Sequence, residues 1–292
     1  MAERLTVRDI QQMKLDGVPI PVLTAYDVVS ARLGEAAGAA ILLVGDSLGM
    51  VIQGHDTPIP VTLDQAVYHA AIVSRVTHKP LIVGDLPFLT YNLSPAQALE
   101  SAGRLMQQGG VGAVKMEGGA YLADTIARVV EAGIPVMGHV GLQPQSVHQV
   151  GGMRVQGRDL EAAQRIIRDA EAVAQAGAFA LVIESVPGPV AEIITQRLRI
   201  PTIGIGAGVH CDGQVQVFHD LLGLFPDFTP RHTRHYVDGW AVLLEALRQY
   251  ISDVQSRAFP TEANTFTMKP ELVDDLKRMP VNGHASAGQP QE

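Results

Sequence analysis

A chain of 292 residues, 47% apolar but only 5% aromatic, is long enough for one large layered core, and that core must be mostly aliphatic. A formal charge of −8, with no basic block, leaves no electrostatic footprint for nucleic acid or an anionic membrane. Cys211 is the single cysteine, which excludes a disulfide framework and a thiolate metal cluster and makes a reducing, cytoplasmic setting the expectation.

In chain order, the charged opening carries no apolar signal segment, and "TVRDIQQMKLDG" reads as a helix able to close one mouth of a barrel. Short apolar runs then recur: "IPVLTAYD", "AILLVGDS", "LIVGDLPF", "AVKMEGG", "PVMGHVGL", "ALVIESVP", "PTIGIGAG" and "LLGLFPDF". They are continuous rather than alternating, as in strands covered on both faces. Helix signals lie between them. Thr62 and Gln65 open one helix, and Ser94 as N-cap, Pro95 at N1 and Gln97 as the capping-box partner open another. A third is expected from Glu161 to Gly177. No apolar run reaches the length of a membrane span.

Eight strand–helix units predict an α/β fold, a (βα)8 TIM barrel with an N-terminal capping helix, over residues 1–260. An open doubly wound sheet is the structural competitor. Residues 261–292 are expected to form a C-terminal extension, partly disordered in "PVNGHASAGQPQE".

The strand ends carry the chemistry. They present Tyr26 and Asp27, Asp46 and Ser47, Asp85, Lys115 and Glu117, His139, Glu184, and Gly204, Gly206 and Gly208. In a barrel these ends converge on one mouth, where several carboxylates would repel unless a cation sits among them. Oxygen donors without thiolates suit a hard ion such as Mg²⁺, with Asp46 and Asp85 as direct ligands and Glu117 nearby or acting through water. Each strand-end Asp could instead cap the following helix. Lys115 and Glu117, two apart, share one side of a strand, as a substrate grip or an interior ion pair. His139 could donate to a substrate oxygen or be a buried structural histidine. Glu184, after five apolar or small residues, suits a general base, its alternative being a salt bridge to a strand-end Lys or Arg. "GIGAG" could cradle a phosphate or only let a ligand near the backbone. His55, in the long loop after the second strand, could reach the site when that loop closes.

The segments "TAYD", "LLVGDSLGM", "GHDTPIPVT", "GDLPF", "KMEGG", "GHVGLQPQS", "VQGRD", "IESVP", "IPTIGIGAG" and "CDGQVQVFHDLLGL" run from about Thr24 to Leu224. Together they resemble the ketopantoate hydroxymethyltransferase family. The resemblance implies a Mg²⁺-binding (βα)8 barrel using 5,10-methylenetetrahydrofolate to hydroxymethylate 3-methyl-2-oxobutanoate through a Mg²⁺-stabilised enolate. The product would be 2-dehydropantoate, in pantothenate biosynthesis. Carried onto this chain, it implies metal ligands Asp46 and Asp85 with Glu117 completing their environment. Substrate contacts would come from Asp46, Ser47, Asp85, Lys115 and His139, and Glu184 would be the base. A homodecamer is implied too. The runner-up is a Mg²⁺-dependent 2-oxo acid lyase of the phosphoenolpyruvate mutase and isocitrate lyase type, which commonly places a catalytic Cys in a mobile loop. A phosphosugar isomerase and a barrel retained only for binding are further alternatives.

Overall fold

In the computed structural model, which describes residues 4–227 and 229–280, eight strands pair in parallel and in chain order. They are β1 (Ile20–Thr24), β2 (Ile41–Val44), β3 (Leu81–Asp85), β4 (Ala113–Glu117), β5 (Val136–Gly141), β6 (Ala180–Glu184), β7 (Thr202–Ile205) and β8 (Gly213–Gln216). β8 pairs back onto β1 and closes the barrel, which excludes the open sheet.

Side chains alternate along each strand between the barrel interior and the surrounding helices. Ile41, Leu43, Leu81, Val83, Ala113, Met137 and Val182 pack together inside. Their neighbours Leu42, Val44, Ile82, Val114 and Val140 join the larger core under the helices. In β2–β7 both faces are enclosed, so these strands read as unbroken apolar runs.

The capping helix is present as α1 (Val7–Leu15), started by a reciprocal Thr6–Asp9 capping box. Its Ile10 is fully buried in the interior cluster, with Leu5, Val7 and Met13 packed against it. Lys14 Nζ lies 2.7 Å from Asp212 Oδ2. The same oxygen accepts bonds from Thr202 N at 2.8 Å and Thr202 Oγ1 at 3.0 Å. Asp212 precedes β8 and Thr202 begins β7, so α1 is fastened across the N-terminal mouth.

Three local expectations need correction. The eighth strand is Gly213–Gln216, not "LLGLFPDF". Leu221 instead ends a short helix, and residues 222–227 follow as turns and loop, Phe228 lying outside the described residues. "GQVQ" carries one buried apolar side chain, Val215, and is a strand because β1 and β7 offer backbone partners on both edges. Gln97 does not complete a capping box on Ser94: its Oε1 accepts from Leu93 N at 3.1 Å, while Ser94 Oγ accepts from Gln97 N. The helix expected from Glu161 spans Leu160–Gln175, with Asp159 as its N-cap.

Contacts divide the chain into two units, Met1–Gly239 and Trp240–Glu292. The first is the barrel. The second holds most of the helix Gly239–Gln255, a single turn at Glu262–Asn264 and the helix Pro270–Arg278. The stretch expected to be disordered falls almost entirely on residues 281–292, outside the described residues. No helix among the described residues is long and apolar enough to cross a membrane.

Candidate active site

Strand register sets the site. Asp85 pairs across from Lys115, Glu117 from His139, and Gly141 from Glu184. Asp85, Lys115, Glu117, His139 and Glu184 occupy inward positions at or near the C-terminal ends of β3–β6. β2 stops at Val44, and Gly45 turns the chain so that Asp46 N donates to Asp85 Oδ2 at 3.1 Å. A Cβ on Gly45 would lie 2.9 Å from Ser47 Oγ and 3.3 Å from Asp85 Oδ2, so the close approach needs glycine there.

Asp46, Asp85, Lys115, Glu117 and His139 are each no more than 5% exposed, so their charges interact with little screening. Lys115 Nζ sits 2.5 Å from Asp85 Oδ1 and 3.7 Å from Glu117 Oε1. His139 Nδ1 is 3.4 Å from Glu117 Oε1, and His139 Nε2 is 3.2 Å from Glu184 Oε2.

Burial drives the Asp46 carboxyl well above its ordinary range, and the Asp85 and Glu117 charges push it further. Burial also raises Asp85, outweighing the pull of Lys115. Glu117 goes the other way. Burial pushes it up, but His139, Lys115 and the Gln145 N–H together hold it below the usual carboxylate range. Lys115 is pushed up: burial opposes its charge, and the surrounding carboxylates prevail. Burial and Lys115 disfavour the His139 imidazolium, yet Glu117 and Glu184 prevail and push its pKa up to about 9.

The donor set fits a hard cation. Asp46 and Asp85 offer adjacent buried carboxylates, with Lys115 Nζ 2.5 Å from Asp85 Oδ1 as the nearest positive charge. Among the described residues no three Asp, Glu, His or Cys side chains form a closed metal cage. Mg²⁺ does not require one, since it keeps several positions for water and ligand.

The structure therefore brings together Asp46, Asp85, Lys115, Glu117, His139 and Glu184. Ser47 is half-buried beside them, its Oγ 2.8 Å from Tyr26 OH. The partner of Glu184 is His139, not a Lys or Arg. Asp27 is a helix cap: its Oδ1 accepts from Ser30 N at 2.7 Å, at the start of the helix Val28–Ala36. His55 is exposed. Gly206 has a left-handed φ of +63°. A Cβ there would come within 3.3 Å of His232 Cβ, so its glycine has a backbone reason without a phosphate. Cys211 is half-buried just before β8, at the opposite mouth.

Sequence reasoning missed Gln145 and Tyr91. Gln145 Nε2 donates to Asp46 Oδ2 at 2.8 Å and to Leu86 O at 2.9 Å, and its backbone N donates to Glu117 Oε2 at 3.1 Å. Tyr91 OH donates to Gln145 Oε1 at 2.7 Å. The available signal was the position of Gln145 in the long loop after β5, on the face where sites gather.

A closed parallel barrel with buried acidic, basic and imidazole groups at its C-terminal mouth has the architecture of a (βα)8 enzyme. A solved phosphonopyruvate hydrolase, in complex with oxalate and Mg²⁺, shares that fold with a TM-score of 0.58 and 14% identity, over 94% of this chain and 96% of that one. The particular family follows from sequence. The ketopantoate hydroxymethyltransferase family model matches residues 4–262. The 3-methyl-2-oxobutanoate hydroxymethyltransferase of Chloroflexus aurantiacus is 56% identical over 267 residues, 91% of this chain and 94% of that protein. That of Gluconacetobacter diazotrophicus is 54% identical over 275 residues, 94% of this chain and 98% of that protein. The chain belongs to the ketopantoate hydroxymethyltransferase family and is a hydroxymethyltransferase.

Proposed function

We infer that this enzyme transfers a hydroxymethyl group from 5,10-methylenetetrahydrofolate to 3-methyl-2-oxobutanoate, giving 2-dehydropantoate for pantothenate biosynthesis. The observation that carries the reading is the Asp46–Asp85 pair sharing one mouth with Glu184, with His139 between the acidic cluster and that base.

Asp46 and Asp85 would hold Mg²⁺, with Glu117 acting through water, and the bound ion supplies a Lewis acid for charge developing on the substrate's keto oxygen. Lys115 stays charged and, with Ser47, attracts and orients the substrate carboxylate. His139 Nε2, 3.2 Å from Glu184 Oε2, links the base to the acidic cluster and would donate to a substrate oxygen entering between them. Glu184, 16% exposed where the other acids are closed off, takes the C3 proton; C3 then bonds to the methylene carbon, whose two C–N bonds to the folate break in turn, water supplying the hydroxyl and tetrahydrofolate leaving. Holding both reactants in place supplies much of the advantage of a bond-forming step.

A lyase of the phosphoenolpyruvate mutase type gains only the likeness of fold, and Cys211 lies at the wrong mouth to serve it. The helix Gly239–Gln255 leaves Trp240, Leu243, Leu247 and Ile251 exposed, which supports an oligomer such as the decamer the family resemblance implies. A cytoplasmic location belongs to the same reading.

Proton exchange at C3 of 3-methyl-2-oxobutanoate in D₂O, followed by NMR without folate, tests the proton-abstraction half. Exchange that requires Mg²⁺ and stops with chelator is expected. Exchange unaffected by chelator contradicts the role given to Asp46 and Asp85.

A further inference from the structure

Gln145 is 4% exposed and sits in the single turn Pro144–Ser146 that follows β5. Its amide is fully satisfied. The NH₂ group gives one proton to Asp46 Oδ2 and the other to Leu86 O, and Oε1 accepts from Tyr91 OH. Tyr91 OH in turn accepts from Glu117 N at 3.2 Å. Reversing the amide would set Oε1 against two acceptors, so the surroundings fix its orientation. One residue thus touches the carboxylates of Asp46 and Glu117 and the carbonyl just after β3.

We propose that Gln145, held by Tyr91, is the positioning residue of the acidic site: its amide occupies Asp46 Oδ2 and turns the other carboxylate oxygen toward the cation. The proposal rests on the Mg²⁺ reading above and concerns how the ligand is aimed, not whether it binds. The chemistry favours an amide at this position. A Lys or Arg in its place would add a second positive charge beside Asp46, in competition with the cation already opposed by Lys115. An apolar side chain would leave Asp46 Oδ2 free to swing toward Lys115. A neutral donor fixes the carboxylate without altering the charge of the site. Outer partners of this kind commonly change metal affinity about 10–100-fold when lost.

The test is calorimetric titration of MgCl₂ into the full-length protein without substrate. Gln145→Met keeps the length of the side chain and removes its hydrogen bonds, and Tyr91→Phe keeps the buried ring and removes only the hydroxyl. Gln145→Met should weaken Mg²⁺ binding about tenfold, and Tyr91→Phe should weaken it by a smaller factor. The double variant should lose no more than Gln145→Met alone, because the hydroxyl acts through the amide. A merely structural role would not produce that non-additivity. Wild-type affinity in Gln145→Met, or losses that multiply in the double variant, overturns the proposal while leaving the Mg²⁺ site intact. If the unsubstituted protein binds no Mg²⁺, the metal reading fails and the proposal fails with it. Should Gln145→Met not fold, Tyr91→Phe decides: weaker binding is expected, and unchanged binding overturns the proposal.

Discussion

Replacing Lys115 by Met removes the one lysine or arginine that, among the described residues, pairs with buried Asp85 and Glu117, keeping the length of the side chain. Its Nζ lies 2.5 Å from Asp85 Oδ1, and both side chains are about 95% enclosed, with 5% and 4% exposed. Removing one partner of a buried ion pair costs about 3–5 kcal/mol, because the remaining charge stays buried and unpaired. At roughly 2–4 °C per kcal/mol for a domain near this size, the melting temperature should fall by about 6–20 °C in chelator near neutral pH. The deficit should shrink in acid. Asp46 and Asp85 already titrate above the ordinary carboxylate range, and losing the lysine moves them higher still. A raised carboxyl penalises folding above its unfolded pKa of about 4, and the penalty vanishes below it. Mg²⁺ should stabilise the variant more than the unsubstituted protein, since it restores positive charge to the cluster; binding at 100 times Kd contributes about 2.7 kcal/mol. Circular-dichroism melts across pH, with chelator and with Mg²⁺, provide the measurement. A variant as stable as the parent in chelator at neutral pH would refute the charge balance described.

Glu184→Gln should lower kcat by about 10²–10⁴-fold, the usual scale for a lost general base, with Mg²⁺ and substrate binding nearly unchanged by calorimetry; a matching loss of Mg²⁺ binding would make Glu184 a ligand. Asp212→Ala removes the acceptor shared by Thr202 and Lys14. It should cost about 2–3 kcal/mol in denaturant unfolding and leave the turnover of folded enzyme unchanged. Glu35 Oε1 accepts from His78 N and Lys79 N at 2.6 and 2.7 Å; burial pushes its carboxyl up, but these bonds prevail and hold it below the usual range. Its stabilisation is therefore present at neutral pH and lost as pH falls through the folded-state pKa. Glu35→Gln should melt lower than the parent near pH 7, and the gap should close as the pH is lowered.

Seven strands were legible from their apolar composition, β2–β7 being enclosed on both faces and β1 keeping an apolar run although Pro21 is exposed. β8 was not, because its stability comes from closing the barrel rather than from "GQVQ" itself. The apolar "LLGLFPDF" resembles a strand more closely and is not one. At the site, Asp46, Asp85, Lys115, Glu117, His139 and Glu184 could be read together because parallel strands in a closed barrel must bring their C-terminal ends to one mouth. Asp27 shows the limit of that rule: it has the same strand-end setting as Asp46, yet its carboxylate caps a helix. Nothing in the residue types separates the two; the turn at Gly45, which presses Asp46 against Asp85, does. The place of Gln145 in the loop after β5 was legible, but its contacts and those of Tyr91 were not, because their partners are set by where two loops settle, and a loop's path is not written in periodicity. The pairing of Glu184 with His139 depended on a diagonal approach between β5 and β6 that strand ends alone do not specify.

Proton NMR of 3-methyl-2-oxobutanoate incubated with the enzyme, 5,10-methylenetetrahydrofolate and Mg²⁺, with and without chelator, tests hydroxymethyl transfer most directly. A new hydroxymethyl resonance, with loss of the C3 proton signal, should appear only when Mg²⁺ is available. Folded enzyme that yields no such resonance under these conditions, or yields it equally in chelator, would contradict the assignment of the acidic mouth as a metal-assisted hydroxymethyltransferase site.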